Sequence, residues 1–257
     1  MSRFSLNYLG IFFIIISFLS FFNIIYSYYF NLYLNIDTYI FTLFISLIIG
    51  TILLFKKKID KKITIYEKII IVIIGYILLP MIISIPYYLS IYNISLINSY
   101  FEAISGFTST GFTIIENIKH LDESLILWRS TSQWIGGIYF LFSIVLLTDI
   151  FDNNLKKSLT NFISFNTSEV FKQSFKILIL YIILTLVLFI VLNLIDIRTF
   201  DAFNLSMTII SSGGFLPVNN IEVIINSNFK EVVFSILMLT SFFSLFLSYN
   251  IIFLKKI

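Results

Sequence analysis

The chain has 257 residues, 58% hydrophobic and only 12% charged, with a mean hydropathy of +0.98. Soluble domains carry about 25% charged residues, so the composition excludes an ordinary soluble domain and points to a membrane protein with several spans. The absence of cysteine rules out disulfides, thiolate metal sites and thiol catalysis, while a net charge of +3 says little, because in such a chain placement matters more than the sum.

Apolar runs of roughly 20 residues, the length needed to cross the hydrocarbon core, recur along the chain. The first, Tyr8–Phe30, belongs to an apolar stretch reaching Tyr33. That is far longer than the about 7–15 residues of a signal-peptide core, and no small-residue cleavage site follows, so an anchor helix is expected. Tyr39–Phe55, Lys68–Ser90, Leu125–Leu147, Lys176–Leu194 and Val232–Phe253 complete six predicted spans. Pro80 and Pro86 fall in the third and predict a kink there. Trp128, Trp134 and the many tyrosines read as interfacial anchors, and Gly136-Gly137 as a point of close helix approach.

Two short polar stretches interrupt this pattern. Ser99–Thr113 (SYFEAISGFTSTGFT), with the single acid Glu102, separates the third and fourth spans, and Asp201–Pro217 (DAFNLSMTIISSGGFLP) separates the fifth and sixth. Lipid-exposed irregular backbone is not tolerated at depth in a bilayer, so such a segment either stays outside or dips in to line an aqueous path. With the N-terminus inside and six crossings, Arg3, the lysine cluster between Lys56 and Lys62, Lys68, Lys156, Lys157, Lys172, Lys176, Lys255 and Lys256 fall on the cytoplasmic side. Only Lys119, Arg129, Arg198 and Lys230 remain outside, the asymmetry that the positive-inside rule requires. The Lys56–Lys62 cluster sets topology first and contacts anionic lipid second. Both polar stretches then share the outer face. Asp37, Glu102, Glu116, Asp122, Glu123, Asp196, Asp201, Glu222 and Glu231 lie on or near it. They either concentrate cations at an acidic mouth or simply solvate outer loops. The one histidine, His120, reads as a solvated loop residue.

The chain repeats itself at an offset of 103 residues, which brings Gly111-Phe112 onto Gly214-Phe215 and Ser109 onto Ser212. Matching order and period are the mark of parallel repeats about an axis normal to the membrane. The predicted fold is an all-α membrane protein of six transmembrane helices with two re-entrant pore loops. It divides into an N-terminal helix pair (1–62), a first helix–pore-loop–helix repeat (63–165) and a second (166–257). A short helix precedes each loop, about Asn98–Phe107 and Asp201–Ile210. Its C-terminal dipole end would favour a cation, and Glu102 and Asp201 are expected in the early turns, where that dipole welcomes an anion. The runs Thr108-Ser109-Thr110-Gly111-Phe112-Thr113 and Ser211-Ser212-Gly213-Gly214-Phe215-Leu216 have the chemistry of a cation filter. Carbonyls must converge to replace a hydration shell, and glycine accepts the backbone angles that this demands. The competing reading, a pair of polar surface loops, is disfavoured by their common register and common face.

Phe101–Thr113 (FEAISGFTSTGFT), followed by Leu121–Gly137 (LDESLILWRSTSQWIGG), closely resembles the membrane subunit of Trk/Ktr potassium-uptake systems (TrkH-like). WRSTSQWIGG is the more specific half, and Ile210–Phe215 (ISSGGF) looks like that family's second filter loop. The resemblance covers the whole chain and corresponds to the family's N-terminal half. It implies that potassium is the transported ion and that no covalent cofactor is used. Filter carbonyls would come from Thr108, Ser109, Thr110 and Gly111 and from Ser211, Ser212, Gly213 and Gly214. Gly111 and Gly214 match the glycines associated with potassium over sodium, and Glu102, Arg129 and Gln133 would support the pore. It further implies a plasma (inner) membrane location with both termini cytoplasmic, contact with lipid, and a cytoplasmic nucleotide-binding regulatory subunit as partner. The family has four such repeats around one pore, and this chain carries two. Either two copies pair, or a complementary half-subunit supplies the rest, or the chain is a non-conducting accessory or structural protein, or a non-functional fragment, that retains half the fold. The sequence has no HExxH, no GxSxG and no paired intramembrane carboxylates, so an enzyme is not expected. No nucleic-acid partner is expected either.

Overall fold

A backbone in hydrocarbon has no water to bond, so segments this apolar must satisfy their own N–H and C=O groups, and a helix does so within a single segment. The computed structural model describes residues 3–55, 65–147 and 167–250, and among these every regular element is helical. In chain order they are α1 (Arg3–Tyr29), α2 (Ile36–Phe55), α3 (Ile65–Ser90), α4 (Leu96–Phe107), α5 (Glu123–Leu147), α6 (Thr167–Leu194), α7 (Thr199–Ser211) and α8 (Asn228–Asn250). The lysine clusters Lys56–Lys62, Lys156-Lys157 and Lys255-Lys256, the end of the predicted span Val232–Phe253 and both expected domain boundaries lie outside the described residues.

Among the described residues four helices are long and apolar enough to cross a membrane: α1, α2, α3 and α6, over Asn7–Tyr29, Tyr33–Phe55, Tyr66–Ser90 and Phe175–Leu194. The other two predicted spans correspond to α5 and α8, of 25 and 23 residues. At about 1.5 Å per residue either is long enough to cross. The polar character of α5 has a plain cause: it packs against α1, α3, α4, α6 and α7, so much of its surface meets protein. Arg129, Ser130, Thr131, Ser132 and Gln133 on it are all buried.

The α1–α2 hairpin closes through small residues. Thr38, Thr42, Ser46 and Gly50, every fourth residue, form one buried face of α2, and a methyl group on Gly50 would lie 3.1 Å from Gly10 O. The hairpin docks on the start of α5. Asn23 Nδ2 donates to Ser124 O at 3.0 Å, Tyr26 OH to Glu123 Oε2 at 3.1 Å and Asn35 Nδ2 to Asp122 Oδ2 at 3.3 Å. Arg198 Nη2 also donates to Glu123 Oε1, at 2.6 Å. Asp122 and Glu123 therefore serve helix docking, in contrast to the free acidic mouth considered from the sequence.

Both tryptophans depart from expectation in the same way. Trp128 is buried and its indole N–H donates to Ile83 O of α3 at 3.0 Å; Trp134 donates to Thr185 Oγ1 of α6 at 3.0 Å. They tie α5 to its neighbours, and Trp128, being buried, presents no face to an interface. The Trp128 bond also bears on the prolines. α3 runs unbroken through Pro80 and Pro86, and a helical proline loosens the carbonyls of the preceding turn. Ile83 O, three residues before Pro86, takes the Trp128 donor, and Ile77 O, three before Pro80, takes Tyr100 OH at 3.2 Å.

Candidate functional site

α4 begins at Ser95, whose hydroxyl caps Asn98 N at 3.1 Å, and it ends where the chain turns into Thr108–Thr113. At that end the N–H groups of the loop fold back on the helix. Ser109 N donates to Gly106 O at 3.0 Å, and Thr110 N and Gly111 N both reach Ser105 O, at 3.0 and 3.3 Å. In a planar trans peptide the carbonyl opposes the N–H, so the carbonyls of Thr108, Ser109 and Thr110 point away from α4. Ser109 (φ 55°) and Gly111 (φ 78°) are left-handed, separated by a residue that is not. One residue beyond the glycine the direction reverses: Phe112 O accepts from Ser105 Oγ at 2.6 Å.

The second loop repeats two of these backbone bonds and the side-chain bond at the offset read from the sequence. Ser212 N donates to Ile209 O at 3.0 Å and Gly213 N to Thr208 O at 2.9 Å, which aims the carbonyls of Ser211 and Ser212 away from α7. Ser212 (φ 54°) and Gly214 (φ 82°) are left-handed, and Thr208 Oγ1 reaches Phe215 O at 3.0 Å. Each position lies 103 residues after its counterpart.

The loops meet. A methyl group on Gly214 would lie 3.7 Å from Gly111 Cα, and one on Gly111 would collide with Gly213 O. Gly111 thus needs glycine twice over, for its positive φ and for this approach. Thr108, Thr110, Ser212 and Gly214 are exposed, Ser109 and Gly111 half-buried, and Ser211 and Gly213 buried. Beyond the loops Asn219 joins the two connections, accepting from Ile118 N and donating to Asn117 Oδ1, each at 2.8 Å.

α5 wedges between the two short helices. A side chain on Gly136 would strike the backbone at Phe107, the last residue of α4; one on Gly137 would meet Tyr181 OH and lie 3.1 Å from Ser211 Cβ, at the end of α7. One turn or two earlier on α5 stand Gln133 and Arg129. Arg129, 1% exposed, donates from Nε to Glu102 Oε1 at 3.1 Å, with Nη2 3.0 Å from the same oxygen. Nη2 also reaches Thr113 Oγ1 at 3.1 Å, Nη1 reaches Leu216 O at 3.4 Å, and the guanidinium lies 4.4 Å from the Phe215 ring centroid. One cation therefore touches the exits of both loops. Glu102 takes the rest of the first exit, accepting from Thr113 Oγ1 at 2.8 Å and Ile114 N at 3.1 Å. Gln133 serves the second loop: its Oε1 accepts from Thr208 Oγ1 at 2.9 Å and from Phe215 N at 3.3 Å.

Two expectations change here. Asp201 does lie in the first turn of α7, but Glu102 sits in mid-helix, and the first turn of α4 has no acid. Glu102 is fully buried against Arg129, so its partner is a guanidinium and not the helix dipole. The second repeat has no such pair, since Leu205, Val232 and Ile236 occupy the positions 103 residues after Glu102, Arg129 and Gln133. Ser105, Thr208 and Asn219 were not singled out from the sequence, and Thr113 was named only as part of the first filter run. Carrying the offset six residues back from Gly111 and Gly214 would have paired the first two.

The chain resembles known proteins along most of its length. A sequence model of the TrkH family, described as cation transport proteins, matches residues 35–256. A protein described as an uncharacterized cation transporter of Methanocaldococcus jannaschii is 34% identical over 164 residues, 60% of this chain and 33% of that protein. The Trk system potassium uptake protein TrkI of Halomonas elongata is 46% identical over 55 residues, 21% of this chain and 11% of that protein. The crystal structure of the potassium transporter TrkH from Vibrio parahaemolyticus has the same fold, with a TM-score of 0.68 at 22% identity, covering 84% of this chain and 44% of that one. The chain spans about a third of the length of the Methanocaldococcus relative and under half of the solved one.

Proposed function

Because the chain belongs to the TrkH family of cation transport proteins, we propose that it forms part of a potassium path across the plasma membrane, with the two loops as its selectivity element. The spans are α1, α2, α3, α5, α6 and α8, and α4 and α7 enter the membrane from the outer face and return through the loops. The N-terminal pair (1–62) braces two helix–loop–helix units (63–165 and 166–257), and both termini face the cytoplasm. Carbonyls of Thr108, Ser109, Thr110 and Gly111, and of Ser211, Ser212, Gly213 and Gly214, coordinate the ion. Neutral peptide oxygens replace part of its hydration shell, and their number and field strength set which ion is accepted. Glu102, Arg129 and Gln133 hold the loops in register. No bond is made or broken, and the ion moves down its electrochemical gradient.

The observation that carries this reading is the convergence of two loops with the same alternation of backbone hand at Gly111 and Gly214. Independent surface loops have no cause to share two backbone bonds and a forward side-chain bond at one offset and to meet at their glycines. Two loops leave part of an ion's coordination sphere open, and further helix–loop–helix units complete it, from a second copy or a complementary half. A cytoplasmic nucleotide-binding subunit regulates the assembled path, as the family resemblance implies. The alternative is a non-conducting accessory or structural membrane protein, or a remnant, that keeps half of the fold. Potassium-dependent growth of a strain without its own uptake systems separates the two. Where the chain restores growth, Gly111→Ser should lower the preference for potassium over sodium in flux measurements; unchanged selectivity would count against the filter assignment.

A further inference from the structure

Ser105 and Thr208 occupy the same place in the two repeats, on the short helices six residues before Gly111 and Gly214. Both are almost fully buried, at 4% and 5% exposure. A serine or threonine within a helix ordinarily bonds a carbonyl of its own preceding turn. Neighbouring side chains do so here: Ser99 Oγ donates to Ser95 O at 2.9 Å, Thr108 Oγ1 to Ile104 O at 2.8 Å and Ser211 Oγ to Met207 O at 2.8 Å. Ser105 and Thr208 instead reach forward seven residues to Phe112 O and Phe215 O, each the first carbonyl after the left-handed glycine.

We infer that the Ser105 and Thr208 hydroxyls are positioning groups that end the row of ion-facing carbonyls at Gly111 and Gly214, and that they thereby set discrimination between potassium and sodium. The inference rests on the filter reading above. Up to Thr110 the peptide groups of the first loop are held by their own N–H bonds to α4, which directs the carbonyls away from that helix. Beyond Gly111, Ser105 Oγ is the hydrogen-bond donor that turns the Phe112 carbonyl back, and no other hydrogen bond among the described residues holds it. Removing the hydroxyl frees that carbonyl to turn toward the exposed side of the loop. An added, loosely held oxygen changes the number of ligands available to an ion, and ions of different radius are told apart by that number and its rigidity.

The two loops are not held equally. Ser105 offers its proton to one acceptor in the loop. Thr208 has a single hydroxyl proton and two acceptors in reach, Phe215 O at 3.0 Å and Gln133 Oε1 at 2.9 Å. The first loop is therefore the firmer, and loss of Ser105 should have the larger effect.

Thermal unfolding of the protein purified in mild detergent as its assembled pore, together with the copies or complementary half that complete it, followed by tryptophan fluorescence, tests this in potassium chloride and in sodium chloride of equal concentration. An ion that binds only the folded form raises the midpoint by mass action. The parent chain should melt higher in potassium. Ser105→Ala should remove that difference, Thr208→Val should reduce it, and Ser105→Thr and Thr208→Ser should keep it. A hydroxyl with a merely structural role would lower both midpoints equally and leave their difference intact. Retention of the parent's difference by Ser105→Ala overturns this inference and leaves the filter reading standing; a parent chain that melts alike in both salts overturns both. Should Ser105→Ala fail to fold, Thr208→Val decides the matter by the same comparison.

Discussion

Replacing Arg129 by methionine removes a cation that touches both loop exits, and its cost can be worked from the contacts. Glu102 keeps Thr113 Oγ1 and Ile114 N as donors but loses both guanidinium contacts, at 3.1 and 3.0 Å, at a site with no solvent exposure. Breaking one side of a buried, hydrogen-bonded pair leaves an uncompensated charge and costs about 3–5 kcal/mol. Contact with the Phe215 ring face adds on the order of 0.5–2 kcal/mol to the loss. The double change Glu102→Leu with Arg129→Met should be far milder, because buried pairs can often be replaced by apolar groups at little cost. The second repeat already has Leu205 and Val232 at the corresponding positions. Equilibrium unfolding in mixed micelles, followed by far-ultraviolet circular dichroism, gives the three free-energy changes needed for a double-mutant cycle. A loss below about 1 kcal/mol for Arg129→Met, the range of an exposed pair, would refute the reasoning. So would a double variant as unstable as the sum of the single ones.

Four other perturbations have definite outcomes. Gly136→Ala should destabilise by about 1–3 kcal/mol, the usual range for overpacking, because its methyl group meets the Phe107 backbone. Gly137→Ala, which chiefly meets the movable end of Tyr181, should cost less, and the order of the two thermal midpoints checks this. Arg198→Ala should change the unfolding free energy by no more than about 1 kcal/mol, since Arg198 is 64% exposed in its pair with Glu123; a loss of the size expected for Arg129 would show that exposure has been misjudged. Trp128→Phe leaves Ile83 O without its indole donor beside Pro86 and should cost about 1–3 kcal/mol, read as a lowered midpoint in the same unfolding measurement.

The fold was largely legible in the sequence because its governing signals are local. Apolar runs of membrane length, interrupted twice by Ser/Thr/Gly stretches, located most helix ends to within about five residues, while α6 begins at Thr167, nine residues before the expected Lys176. The short helices before the loops, expected at about Asn98–Phe107 and Asp201–Ile210, run over Leu96–Phe107 and Thr199–Ser211. The 103-residue offset was visible through Gly111 and Gly214 because a left-handed backbone leaves few residue choices. Side-chain partners were less legible. Trp128 and Trp134 follow the composition of interfacial anchors, yet their indoles are used between helices. Glu102 reads as a dipole partner by position alone, and only the packing of α5 supplies its guanidinium.

The sequence by itself determined which segments become helix, where the chain must leave helical geometry, and that it does so twice in the same way. These follow from side-chain hydropathy and backbone freedom within a dozen residues. Only the tertiary structure decided that α5, which follows the first loop, braces the second one through Gln133 and joins both through Arg129. The contacts to the second loop link residues 82–87 positions apart, and distance along the chain carries no record of them. They exist because Gly136 and Gly137 let α5 come close enough to both short helices for two polar side chains to reach the loops.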